Sequence, residues 1–149
     1  MMIQSAITAY FHYLGFMVAF GALAIEAYTI KKDLTLEEAW RLVIADSVYG
    51  ISITIVLITG ILRVMYFGKG TDYYLANHVF YTKIALFSLV GLFSLYPTFS
   101  FIAWIKTLRD RQVPDLELSQ VQKLSRLIRG ELVGLALIPL FAALLARGF

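Results

Sequence analysis

The sequence predicts an all-α integral membrane protein, with four transmembrane helices in an antiparallel up-down-up-down bundle. Three observations carry that expectation. Of the 149 residues, 60% are hydrophobic and only 15% charged, against about 45–50% and about 25% in soluble domains. Four windows stay apolar over the roughly 20 residues that a membrane-crossing helix needs. No alternating ten-residue barrel pattern occurs, and open strands would find no hydrogen-bond partners in lipid. The absence of cysteine excludes a disulfide-stapled module, and the mean hydropathy of +0.76 excludes a soluble enzyme and a disordered segment. The length allows one domain, residues 1–149.

The first span covers about residues 3–30. No basic residue precedes its apolar stretch, which is too long for a signal core, so it is expected to stay as a span. The second runs over about residues 42–67. Thr35-Leu36-Glu37-Glu38 reads as a capping box, so this helix is expected to start in the preceding loop. Gly68-Lys69-Gly70 ends it, and is too short for a phosphate loop. The third and fourth spans cover about residues 79–105 and 127–146. Ser119 with Gln122 is the expected start of the fourth helix, after a turn at Pro114. Pro97 and Pro139 should kink the third and fourth helices. Gly15 with Ala19, and Gly130 with Gly134, offer small faces for close helix packing.

Counting Lys and Arg sets the orientation. Of the 13, nine lie in or beside the two loops on one side: Lys31, Lys32, Arg41, Lys106, Arg109, Arg111, Lys123, Arg126 and Arg129. Arg63, Lys69 and Arg147 lie on the other, with Lys83 inside the third span. The basic side is the cytoplasmic one. Both termini are then expected outside, and Tyr66, Tyr73, Tyr74 and Tyr81 near the outer interface. With the basic residues explained by topology, the net charge of +3 carries no nucleic-acid signal.

Titratable residues within spans are candidate functional sites by default. A rise of 1.5 Å per residue sorts them by depth into two layers. The outer layer holds His12, about 5 Å from the midplane, and Arg63 and Lys83, about 12–14 Å from it. A neutral imidazole suits metal ligation or proton transfer, and two basic heads at one depth suit an anionic group. His12 is therefore the candidate metal ligand, and His12, Arg63 and Lys83 the candidate cofactor-binding set. Met17 and Met65 are alternative second ligands, whereas His78 lies too shallow. The plain structural reading is that Arg63 and Lys83 snorkel to headgroups and that His12 bonds between helices. Phe87, Phe93, Phe99 and Phe101 read as packing or lipid contact.

The inner layer holds Glu26, Asp46, Arg126, Arg129 and Glu131. Pairing of the acids with Arg126 or Arg129 is expected, as a charge network joining the helices. The functional alternative is a proton path beginning near Asp46 and Tyr49. No nucleophile triad, zinc spacing or dinucleotide motif is present, and with two histidines and no cysteine a classical multi-ligand transition-metal site is hard to build.

The runs Ala45-Asp46-Ser47-Val48-Tyr49-Gly50, Thr59-Gly60-Ile61-Leu62-Arg63-Val64, Tyr73-Tyr74-Leu75-Ala76-Asn77 and Ser94-Leu95-Tyr96-Pro97-Thr98 resemble a family of uncharacterised bacterial inner-membrane proteins. The order of His12, Thr59-Gly60 and Lys83 is distantly similar to HemJ-type protoporphyrinogen oxidases and CopD-like membrane proteins. That likeness implies haem b on His12, Lys83 as an essential partner, and a membrane oxidoreductase of protoporphyrinogen-oxidase type acting with porphyrin or quinone. The sequence differs from the HemJ type in having no tryptophan in residues 13–21 and Leu95-Tyr96-Pro97 in place of an aromatic-His pair. Two other readings stay open: a small transporter, and an accessory or assembly subunit of a membrane complex, alone or as a homo-oligomer.

Overall fold

The computed structural model describes residues 1–149. The chain is helical almost throughout: α1 (Met2–Thr29), α2 (Leu36–Leu62), α3 (Thr71–Leu75), α4 (His78–Arg109) and α5 (Leu118–Ala146). All but α3 are long and apolar enough to cross a membrane. The outward faces are apolar, as Ile51, Leu92, Phe99 and Val133 illustrate, while Glu26, Asp46 and Glu131 are buried. Water would favour the reverse distribution; lipid outside the bundle favours this one.

Local chemistry sets the helix ends. At α2, the Thr35 hydroxyl accepts from the Glu38 amide while the Glu38 carboxylate accepts from the Thr35 amide, the reciprocal box expected there. Lys31 clamps the same carboxylate at 2.8 Å. The α5 start differs from expectation. The Gln120 side chain accepts from the Glu117 amide at 3.2 Å, so the helix begins ahead of Ser119, with the side chain at its third position reaching back to the N-cap amide.

α2 changes character at its far end, where Arg63–Phe67 form one π-helical turn. Such turns re-aim side chains and recur at functional sites. Gly68 follows, where a side chain would collide with the Arg63 carbonyl and the Tyr74 hydroxyl. Gly70 has φ +96°, a left-handed conformation that glycine alone adopts without strain. These two glycines fold the chain into α3, a short helix that the span pattern does not reveal.

The four long helices form a closed ring. α1 packs on α2 and α5, and α4 packs on α2 and α5, while the backbones of the diagonal pairs stay apart. Small residues set the two closest seams. A Cβ on Gly15 would lie 3.2 Å from Val56 and 3.3 Å from the Ser52 carbonyl. On the opposite seam, a Cβ on Gly134 would lie 2.6 Å from Val90 and one on Gly130 3.2 Å from Phe93. Where lipid is as apolar as leucine, such backbone approach drives helix association. Leu23, Leu42, Phe101, Ile128 and Leu135 fill the centre between the seams.

Candidate functional site

His12 sits on α1 opposite the end of α2. Its Nδ1 lies 3.1 Å from the Val56 carbonyl oxygen and 3.0 Å from the Thr59 hydroxyl oxygen. The Thr59 hydroxyl itself donates to the Ile55 carbonyl at 2.6 Å, so it meets His12 as an acceptor. A carbonyl also only accepts. Nδ1 therefore carries the proton, and the neutral imidazole presents a bare lone pair at Nε2. Nε2 makes no hydrogen bond within the protein. Gly60 leaves room for the ring, since a Cβ there would lie 3.3 Å from His12 Cε1.

The ring opens onto a cavity of about 670 Å³ bounded by α1, the end of α2, the loop with α3, the start of α4 and the end of α5. Its charged wall consists of Arg63, Lys69 and Lys83, with no carboxylate. The Arg63 guanidinium carbon stands 5.0 Å from the centre of the Tyr13 ring. Neither Arg63 nor Lys83 has an anionic partner, the ion pairs of the structure being Lys31–Glu38 and Arg41–Glu37. A smaller hollow of about 200 Å³ shares His12, Gly60 and Lys83 and reaches the outer surface between α2 and α4, past Leu57, Ile61, Met65 and Ile84. Polar groups thus meet an apolar lateral mouth facing lipid.

A roof closes the cavity at the chain ends. Tyr73 donates to the Leu145 carbonyl at 2.8 Å, Lys69 to the Ala146 carbonyl at 3.1 Å and Asn77 to the Phe149 carbonyl at 2.8 Å. Lys69 meets an Ala146 carbonyl that no backbone amide reaches, and its ammonium suits the negative end of the helix dipole, while the Leu145 carbonyl takes Tyr73 as a second donor beside the Gly148 amide.

The structure brings His12, Arg63 and Lys83 to one cavity. Met17 also lines it, Met65 lines the smaller hollow, and His78 lines neither. One imidazole with no carboxylate or thiol does not make a cage for a bare metal ion, and no cluster of three His, Asp or Glu elsewhere could hold one. The donor set fits a larger group that joins a nitrogen-binding centre to anionic substituents. Lys69, Tyr73 and Pro139 also line the cavity and were not expected there. The tyrosine run marked only an interface, and nothing local reveals that a loop folds back over α5.

The inner layer corrects an expectation. Glu26, Asp46 and Glu131 are buried, but Arg126 and Arg129 are exposed and make no ion pair. At 100° per residue, Arg129 lies about 200° around α5 from Glu131 and Arg126 about 140° from it, so neither can share its face. Only Asp46 has a partner, the Thr98 hydroxyl at 3.0 Å.

No curated protein and no solved structure is similar to the chain at a level that carries an argument. The family described as Predicted membrane protein (DUF2214) matches residues 4–149, nearly the whole four-helix unit, and the chain belongs to that family.

Proposed function

We propose that the protein binds an anionic amphiphile in the His12 cavity, with haem b as the group its donor set suits, and serves a redox role involving quinone or porphyrin. The observation that carries this reading is the orientation of His12. The Val56 carbonyl and Thr59 hold its Nδ1–H, leaving Nε2 as a lone-pair donor in a cavity with three cations and no acid. Orienting contacts of this kind fix the tautomer of ligating histidines. His12 would hold the iron, and Arg63 and Lys83 would pair with the carboxylate substituents. Bound haem supplies one-electron redox chemistry at its iron. The cavity volume of about 670 Å³ lies within the roughly 300–1,000 Å³ of ligand pockets. The gap between α2 and α4 offers entry from the bilayer.

The setting we infer is a bacterial inner membrane, with both termini on the periplasmic side. Nine of the 13 basic residues support that orientation, and the resemblance noted above supports the bacterial origin. The deciding experiment is the visible spectrum of the full chain, purified in mild detergent after haem supplementation. A Soret band that His12→Ala removes is the expected result. No band, or one that His12→Ala leaves unchanged, overturns haem binding. A transporter reading is favoured by one separate observation, the unpaired acids buried between the helices. It expects Asp46→Asn or Glu131→Gln to abolish a measured flux while the fold is retained.

A further inference from the structure

Glu26 and Glu131 are each only 1% exposed, and Tyr49 only 2%. They come from α1, α5 and α2, and Asp46 stands one turn before Tyr49. The charged neighbours of Glu26 are Asp46 and Glu131. α4 contributes hydroxyls only, Thr98 bonding Asp46 and Ser94 lying beside Tyr49. No cation reaches the cluster from any helix. Arg126 and Arg129 point outward, and the Lys123 ammonium lies 3.9 Å over the Tyr96 ring.

The groups are also unsatisfied. Both carboxylate oxygens of Glu26, one of Glu131, the Tyr49 hydroxyl and the Thr29 hydroxyl make no hydrogen bond. The Tyr49 hydroxyl on α2 stands beside the Glu131 carboxylate on α5, which places a proton-carrying oxygen next to a buried acid. A buried carboxylate without a partner is costly until a cation or a proton reaches it. The acids do not converge closely enough to share a metal ion. The proton is the ligand that remains, because it neutralises each carboxylate separately and does not require the acids to converge.

We propose that Glu26, Asp46 and Glu131, with Tyr49 among them, form a proton-binding site inside the bundle that exchanges with water at the α1–α2 loop. Thr29 stands one turn beyond Glu26 at the last residue of α1, which places the exit a single turn from the loop. In the loading step, hydronium passes a proton to a Glu26 oxygen, leaving water and a neutral carboxylic acid. Tyr49 relays by accepting a proton at its oxygen while giving its own to Glu131. Unloading reverses both transfers. The site shares no residue with the His12 cavity and stands or falls separately from it.

The test is infrared spectroscopy of the full chain in lipid nanodiscs near neutral pH, in H₂O and then in D₂O. The expected result is a carboxylic-acid C=O band that shifts in D₂O. It should be reduced in Glu26→Gln, Asp46→Asn and Glu131→Gln taken singly, and absent from the triple variant. No such band, a band that D₂O does not shift, or a band that survives in the triple variant would overturn the proposal. Circular dichroism checks that each variant folds. Where one does not, the D₂O shift of the unaltered protein decides alone.

Discussion

His12 on α1 places its Nδ1 3.1 Å from the carbonyl oxygen of Val56 on α2, and that one contact determines which ring nitrogen is left to act. Thr59 adds a second acceptor at 3.0 Å. Removing its hydroxyl with Thr59→Val keeps the Val56 contact but frees the ring to rotate. Loss of such an orienting partner typically weakens metal ligation about 10–100-fold. Haem titration followed at the Soret band should show that loss in Thr59→Val, with helical content unchanged. Equal affinity would mean that backbone contact alone orients the ring.

Lys83 tests the anionic half of the ligand. It lines the cavity without an acidic partner, and a hydrogen bond to a charged group contributes about 1.5–3 kcal/mol. Lys83→Met should therefore weaken binding of a porphyrin dicarboxylate at least about tenfold. The corresponding neutral diester should bind both proteins alike. Equal weakening of both ligands would assign Lys83 to packing instead of anion recognition.

What the sequence reveals divides along the same lines. The spans, the Thr35–Glu38 box and the glycine seams follow from composition, capping chemistry and residue size, all local quantities. The layer of His12, Arg63 and Lys83 was legible because depth is simply residue number multiplied by helical rise. The outward direction of Arg126 and Arg129 was legible too, on the same helical wheel, but the expectation that buried acids pair with nearby cations overrode it. The roof was not legible. Tyr73 and Lys69 meet α5 more than 70 residues away, and no local pattern encodes such a contact. Nor does any motif distinguish the π-helical turn at Arg63–Phe67 from the α-helix before it.

The seam between α4 and α5 should tolerate no side chain at its narrowest point. A Cβ on Gly134 would stand 2.6 Å from Val90 Cγ2, and Val90 is buried and stiff at χ1. Gly134→Ala should cost about 1–3 kcal/mol through overpacking. Gly50 is the control, since nothing lies within 4 Å of its added Cβ. Gly50→Ala should be neutral or stabilise by up to about 1 kcal/mol. Reversible unfolding in detergent micelles measures both, and similar values for the two would argue against this seam.

The roof should open locally when its bonds are removed. Tyr73→Phe deletes the donor to the Leu145 carbonyl, a bond contributing about 0.5–1.5 kcal/mol. Gly70→Ala places a Cβ at φ +96°, at a cost of about 1–2 kcal/mol. Both should accelerate amide hydrogen exchange across residues 68–77 by roughly two- to tenfold, with α1 and α2 unaffected. Uniform acceleration along the chain would mean that the roof is integral to the bundle.

Orientation follows from the charge bias and is open to direct chemistry, because the chain contains no cysteine to confuse labelling. Thr71 begins α3 and Gln112 lies in the segment between α4 and α5, and both are exposed. The basic loops belong in the cytoplasm, so the two positions should face opposite compartments. A membrane-impermeant maleimide should label Thr71→Cys in spheroplasts from outside, and Gln112→Cys only after the membrane is permeabilised. The opposite pattern would invert the topology and turn the His12 cavity toward the cytoplasm. Labelling of both from outside would show that the chain does not span as four helices.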